Sequence, residues 1–96
     1  MISALQRSLE GGAVTITAEV MPPRGSDPSH ALAMAKSLQG KVHAINVTDG
    51  SRAVVRMSSL ALCRLFIEHG HEPVFQVACR DRNRIALQSD LLGAYA

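Results

Sequence analysis

The sequence predicts an α/β fold of three consecutive parallel βα units, and three observations predict it. Strand-like segments recur at a fixed period, capped helix-like segments fill the gaps, and the strands carry two chemically different faces. Val14–Val20, His43–Thr48 and Pro73–Cys79 are short, β-branched-rich stretches bounded by turn formers, as strands are. With Glu19, Thr48 and Gln76 as markers, the steps are 29 and 28 residues, close to the roughly 30 of a βα unit. Strands so spaced pair in parallel through helical crossovers.

Each element has its own signals. Residues 1–9 are expected to form a short preliminary helix. The first strand stops at Pro22-Pro23-Arg24-Gly25, because two prolines in succession cannot continue a ladder. A helix begins at Asp27-Pro28, with Asp as cap and Pro at the first helical position. Leu32, Ala35 and Leu38 form its apolar stripe, and Gly40 supplies a left-handed stop. The second helix takes Ser58 or Ser59 as cap, buries Leu60, Cys63, Phe66 and Ile67, and ends at Gly70. The third is expected to start near Asp81, carry Ile85, Leu91 and Leu92, and run to Ala96. Met34 and Met57 read as packing residues.

Side chains alternate across a strand, so parity separates the faces. Ile16, Ala18 and Val20, Ile45 and Val47, and Phe75 and Val77 make one apolar face suited to lie under helices. Thr15, Thr17 and Glu19, Asn46 and Thr48, and Gln76 make the other polar, with Ala44, Val74 and Ala78 as its small or apolar members. A doubly wound sheet covers both faces with helices and reads as continuous hydrophobic runs. A barrel lumen facing a ligand explains the polar side better, and reactive groups of (β/α)8 barrels sit at the C-terminal strand ends, where Glu19, Thr48 and Gln76 fall. Such TIM barrels take about 250 residues. The 96 residues are therefore expected to be a truncated, single partial domain, the first three units of one.

Composition narrows the partners. Hydrophobic residues make up 47% and charged residues 19%, enough to build a core and against wholesale disorder. A net charge of +2, spread along the chain, marks neither a nucleic-acid binder nor a membrane-surface binder. No apolar run approaches a bilayer span, and residues 1–10 lack a signal pattern. Cys63 and Cys79 are too few for a disulfide framework and have no metal-ligand spacing, so a cytoplasmic setting fits. His69 and His71 flank a helix end without a third ligand, so no metal is expected. Arg80, Arg82 and Arg84 are broken by Asp81 and lack aromatic neighbours, and read as a solvated helix start.

Glu19 is the prime candidate for chemistry, because a carboxylate inside a β-branched strand is unfavourable unless something uses it. In a partly enclosed lumen it can serve as a general acid. Its structural alternative is an ion pair with Arg24. Thr48 and Asp49 precede Gly50, where a hydroxyl, a carboxylate and open backbone can bond a cofactor, and where ordinary Asp-Gly turn chemistry serves equally. Gln76 offers an amide for a heterocycle edge or for Asn46 or Thr48. The chain has no GxGxxG and no P-loop.

Three segments resemble the methylenetetrahydrofolate reductases, flavin-containing (β/α)8 barrels: residues 18–25 (AEVMPPRG), residues 44–50 (AINVTDG) with Arg56-Met57-Ser58, and residues 79–94 (CRDRNRIALQSDLLGA). Together they cover nearly the whole chain in the family's order. The resemblance implies an oxidoreductase that passes hydride from NAD(P)H to FAD to 5,10-methylenetetrahydrofolate, giving 5-methyltetrahydrofolate. It places the general acid of the Glu-x-x-Pro-Pro motif at Glu19 and the flavin contacts at Thr48, Asp49 and Gln76. It departs at Ala78, where similar proteins often carry Thr. The family's fourth-strand Gly-Asp motif has no counterpart, which implies little activity for the 96 residues alone. The alternative is a non-catalytic remnant or half-barrel that associates with itself or with a complementary chain.

Overall fold

A computed structural model describes residues 2–96. Helix α1 (Ala4–Glu10) precedes β1 (Thr17–Val20), α2 (Ser29–Leu38), β2 (Ala44–Val47), a 3-10 turn (Ser51–Ala53), α3 (Ser59–Glu68), β3 (Pro73–Phe75) and α4 (Arg84–Tyr95). The sheet order is β1-β2-β3 with both pairings parallel. Three parallel strands joined by helices are what the repeat predicts; the sheet stays open, with β1 and β3 as its edges. Of the preliminary helix, Met1 lies outside the described residues.

The strands are shorter than the β-branched runs, for visible reasons. Ahead of β1, the Ile16 N–H turns to His43 Nδ1 at 3.0 Å. Past β3 the Gln76 N–H still reaches the Val47 carbonyl at 3.3 Å, but the Ala78 N–H goes to the Asp49 side chain at 2.6 Å. A side chain has replaced the ladder there.

The register pairs Ala18 with Ile45 and Val20 with Val47, then Ile45 with Pro73 and Val47 with Phe75. On this face Val20, Ile45 and Val47 form one core with Ala31 and Ala35 of α2 and Leu62, Cys63 and Phe66 of α3, with Phe75 and Met57 packed against it. Burial pushes the Cys63 thiol up to about 11, whereas Cys79 is exposed. Asp27 Oδ1 accepts from the N–H and Oγ of Ser29 at 3.0 and 2.7 Å, but α2 starts one residue later than expected, at Ser29, with Pro28 in the cap position. Gly40 and Gly70 end α2 and α3 in the left-handed region, at φ of 80° and 83°.

Three other helical details differ from expectation. The buried stripe of α3 is Ser59, Leu62, Cys63 and Phe66, while Ile67 is 57% exposed. Ser59 begins that stripe because its hydroxyl donates to the Gln76 carbonyl at 2.9 Å, which satisfies a buried polar group; Ser58 is the cap, accepting from Ala61 N–H at 3.1 Å. Helix α4 starts at Arg84 with Asn83 as cap, because Arg82 is drawn back to Asp49 in the loop after β2, and its Ile85, Leu91 and Leu92 are exposed. Met34 is 40% exposed and is no core residue.

Helix α1 closes the N-terminal end of the sheet. Its Ala4 N–H donates to Glu72 at 2.8 Å, and the Ser8 and Thr15 hydroxyls share a bond of 2.7 Å. The opposite end is left to loops.

Candidate functional site

Glu19 pairs in register with Asn46, and Asn46 with Val74. One further alternation puts Thr48 and Gln76 on the same side, away from the helices. The three candidates therefore share the polar face at the C-terminal strand ends. Thr17 is on it too, accepting from Asn46 Nδ2 at 3.1 Å, so Asn46 is not a partner for Gln76.

The candidates differ in their surroundings. Glu19 is exposed and, among the described residues, makes no hydrogen bond or ion pair, so the Arg24 pairing is not formed. Thr48 is buried on the central strand, and its hydroxyl oxygen has no partner. A buried hydroxyl without a partner costs stability, and Thr48 Oγ1 is enclosed by the chain itself, so a ligand on this face reaches it only after the side chain turns outward. The Gln76 carbonyl accepts from Ser59, while its side-chain amide is without a partner among the described residues. The Gln76 amide, which both donates and accepts, suits a heterocycle edge such as a flavin's, with the unpartnered Thr48 hydroxyl enclosed beside it. The face itself is an open surface; the molecule's clefts lie around His43 and Glu72, beside the Gly50 turn, and between α3 and α4.

Asp49 is placed differently. Its Oδ2 accepts the Ala78 N–H at 2.6 Å and a short bond from Arg82 Nη1, and Oδ1 lies 3.3 Å from Arg82 Nη2. Burial opposes the charged carboxylate, but the hydrogen bonds from Arg82 and Ala78 and the charges of Arg82 and Arg80 hold its pKa below the ordinary range. The Arg82 pKa is raised in turn, because the hydrogen bonds Arg82 donates to Asp49 and Asp90 outweigh desolvation.

The sequence reading missed the residues that tie the strand-end loops together. Arg56 Nη1 donates to the Pro22 carbonyl at 3.0 Å and the Met57 N–H to the Pro23 carbonyl at 2.7 Å, joining the loops after β1 and β2. Arg80 donates to the Gly50 carbonyl at 3.0 Å, and Arg82 binds Asp49 and Asp90, joining the loops after β2 and β3. Arg82 is thus no solvated residue of a helix start, and Arg80 is held by Asp81 as well. The available signal was the pairing of Asp49 at one strand end with arginines just past the next. The turn between them is strained: besides Gly50, Arg52 and Ala53 have φ of 62° and 55°, a region that costs a side-chain-bearing residue about 1–2 kcal/mol.

A pH consequence follows from Asp49. Its folded pKa lies below that of an aspartate in the unfolded chain, so its stabilisation is full above the unfolded value and is lost as pH falls through the folded one. Asp49→Asn is expected to lower stability at neutral pH and to flatten the acid limb below about pH 4. Unfolding midpoints across that range check it, and an acid limb as steep as that of the parent would contradict it.

His69 Nδ1 lies 2.8 Å from the Leu65 carbonyl and His71 packs edge-on against Phe66. Among the described residues no three His, Cys, Asp or Glu are grouped to hold a metal, and no helix is long and apolar enough to cross a membrane. The sequence model for methylenetetrahydrofolate reductase matches residues 4–96. No curated protein and no solved structure matches the chain significantly.

Proposed function

Because the chain belongs to the methylenetetrahydrofolate reductase family, we propose that it supplies the acid and the first flavin contacts for reducing 5,10-methylenetetrahydrofolate to 5-methyltetrahydrofolate. The observation that carries the reading is the register, which sets Glu19, Thr48 and Gln76 on one face at one end of the sheet. FAD, when bound, supplies the centre that relays hydride from NAD(P)H to the folate.

The chain's own residues do the rest. Glu19 donates its carboxyl proton to the folate ring nitrogen that leaves as the five-membered ring opens, and its side chain, bound to no internal partner, is free to reach that nitrogen. Thr48 Oγ1, enclosed and without a partner, turns outward to bond one edge of the flavin, which satisfies its stranded hydroxyl. The Gln76 amide presents a donor and an acceptor beside it. Loops tied by Arg56, Arg80 and Arg82 hold these groups in place before a ligand arrives, and preorganisation of this kind lowers the cost of binding.

Cofactor retention and turnover in the isolated chain should both be poor. Three strands leave the Glu19 face in water, where donors and charges act weakly on a reacting group. The purified chain is expected to be colourless and to oxidise no NADH in the presence of folate. The test compares it with the longest product of its reading frame by flavin absorbance and NADH oxidation. A yellow long form with folate-dependent oxidation supports the reading, and a colourless, inert one contradicts it.

A second reading, a non-catalytic chain that pairs with itself or with a complementary chain, draws on the two free sheet edges and on exposed Ile85, Leu92 and Tyr95 of α4. Sedimentation at several concentrations separates the two, since a stable monomer is incompatible with the second. Free Cys63 and Cys79 suit a cytoplasmic location for either.

A further inference from the structure

Arg82 is more fully committed than any side chain assigned a role above. Its side chain is 16% exposed, and all three guanidinium nitrogens are used. Nη1 and Nη2 fork onto the Asp49 carboxylate, Nη1 also donates to the Ala78 carbonyl at 2.8 Å, and Nε donates to Asp90 at 2.9 Å. Asp49 in turn takes the Ala78 N–H. Both backbone groups of Ala78, which a longer strand would pair with its neighbour, are therefore satisfied by this one ion pair.

The positions so fixed bracket the flavin-facing residues. Thr48 directly precedes Asp49, and Gln76 stands two residues before Ala78. We propose that Arg82 is a positioning residue, setting the spacing of Thr48 and Gln76 through Asp49 and Ala78, and that the Asp49 carboxylate anchors this clamp instead of touching the flavin. The proposal rests on the flavin reading for its functional meaning and on the clamp geometry for its substance. Asp49 is only 12% exposed, and Oδ2 already carries two bonds, so little acceptor capacity remains for a ligand. A planar fork is required because it meets a carboxylate along two lines at once, which the point charge of Lys cannot do.

The test is nuclear magnetic resonance on the isotope-labelled full chain, comparing the parent with Arg82→Lys, Arg82→Met and Asp90→Asn. In Arg82→Lys, amide exchange at Ala78 is expected to rise about ten- to a hundredfold, as the loss of charge-assisted hydrogen bonds implies. The Thr48 methyl and Gln76 side-chain amide should shift with it, while the amides of α2 and β1 hold their positions. Changes confined to residues 80–84, with Thr48 and Gln76 unmoved, overturn the proposal. If Arg82→Met fails to fold, Arg82→Lys and Asp90→Asn carry the comparison, with smaller shifts at the same residues expected in Asp90→Asn. FAD added to the isotope-labelled longest product of the reading frame tests the underlying reading separately. Shifts at Thr48 and Gln76 that weaken in Arg82→Lys support both claims; silence of the unsubstituted long form sinks the flavin reading and leaves the exchange result to decide the clamp.

Discussion

Phe66→Ala is expected to cost about 3–5 kcal/mol and to abolish a cooperative unfolding transition near physiological temperature. Phe66 is fully buried where α3 meets the sheet, beside Leu62, Val47 and Ile45. Its ring also faces His71 edge-on at 5.8 Å. Removing it leaves a cavity at the one point where both layers converge, and a domain this small holds only about 5–15 kcal/mol in all. Leu62→Ala should cost about 2–5 kcal/mol for the same reason. Ile67→Ala is the control: 57% exposed at the edge of the buried stripe of α3, it should cost well under the loss at Leu62. Denaturant titrations decide this, and a larger loss for Ile67 than for Leu62 would show that α3 is docked on a different face.

That comparison bears on what could be read from residues alone. The strand repeat, the parallel direction and the two faces were legible because they depend on period and parity, which the backbone imposes. The rotation of α3 was not. Its stripe begins with Ser59, a polar residue that is buried because its hydroxyl meets the Gln76 carbonyl across the layer, and a pattern search that looks for apolar residues starts one residue late. The start of α4 was misplaced for a similar cause. Asp81 looks like a cap, yet it pairs with Arg80, while Arg82 is pulled to Asp49, 33 residues away in sequence. Long-range ion pairs leave no periodic trace. At the candidate site, Glu19, Thr48 and Gln76 came from strand parity, whereas the clamps of Arg56 and Arg82 needed the loops in three dimensions.

Glu19→Gln in the flavin-loaded protein is the other large effect and the most direct test of the chemistry. Glu19 is exposed and lacks an internal partner, so the substitution should leave the fold within about 0.5 kcal/mol of the parent. Gln keeps the shape and the hydrogen-bonding reach of Glu but has no acidic proton to give. Only ring opening of the folate needs that proton; reduction of the flavin by NADH does not. The measurement follows the two half-reactions separately by stopped-flow flavin absorbance, under exclusion of oxygen. Folate reduction is expected to slow about a hundred- to ten-thousandfold, the usual contribution of a general acid, with flavin reduction by NADH unchanged. Equal losses in both half-reactions, or none in either, would contradict the assignment of Glu19 as the acid.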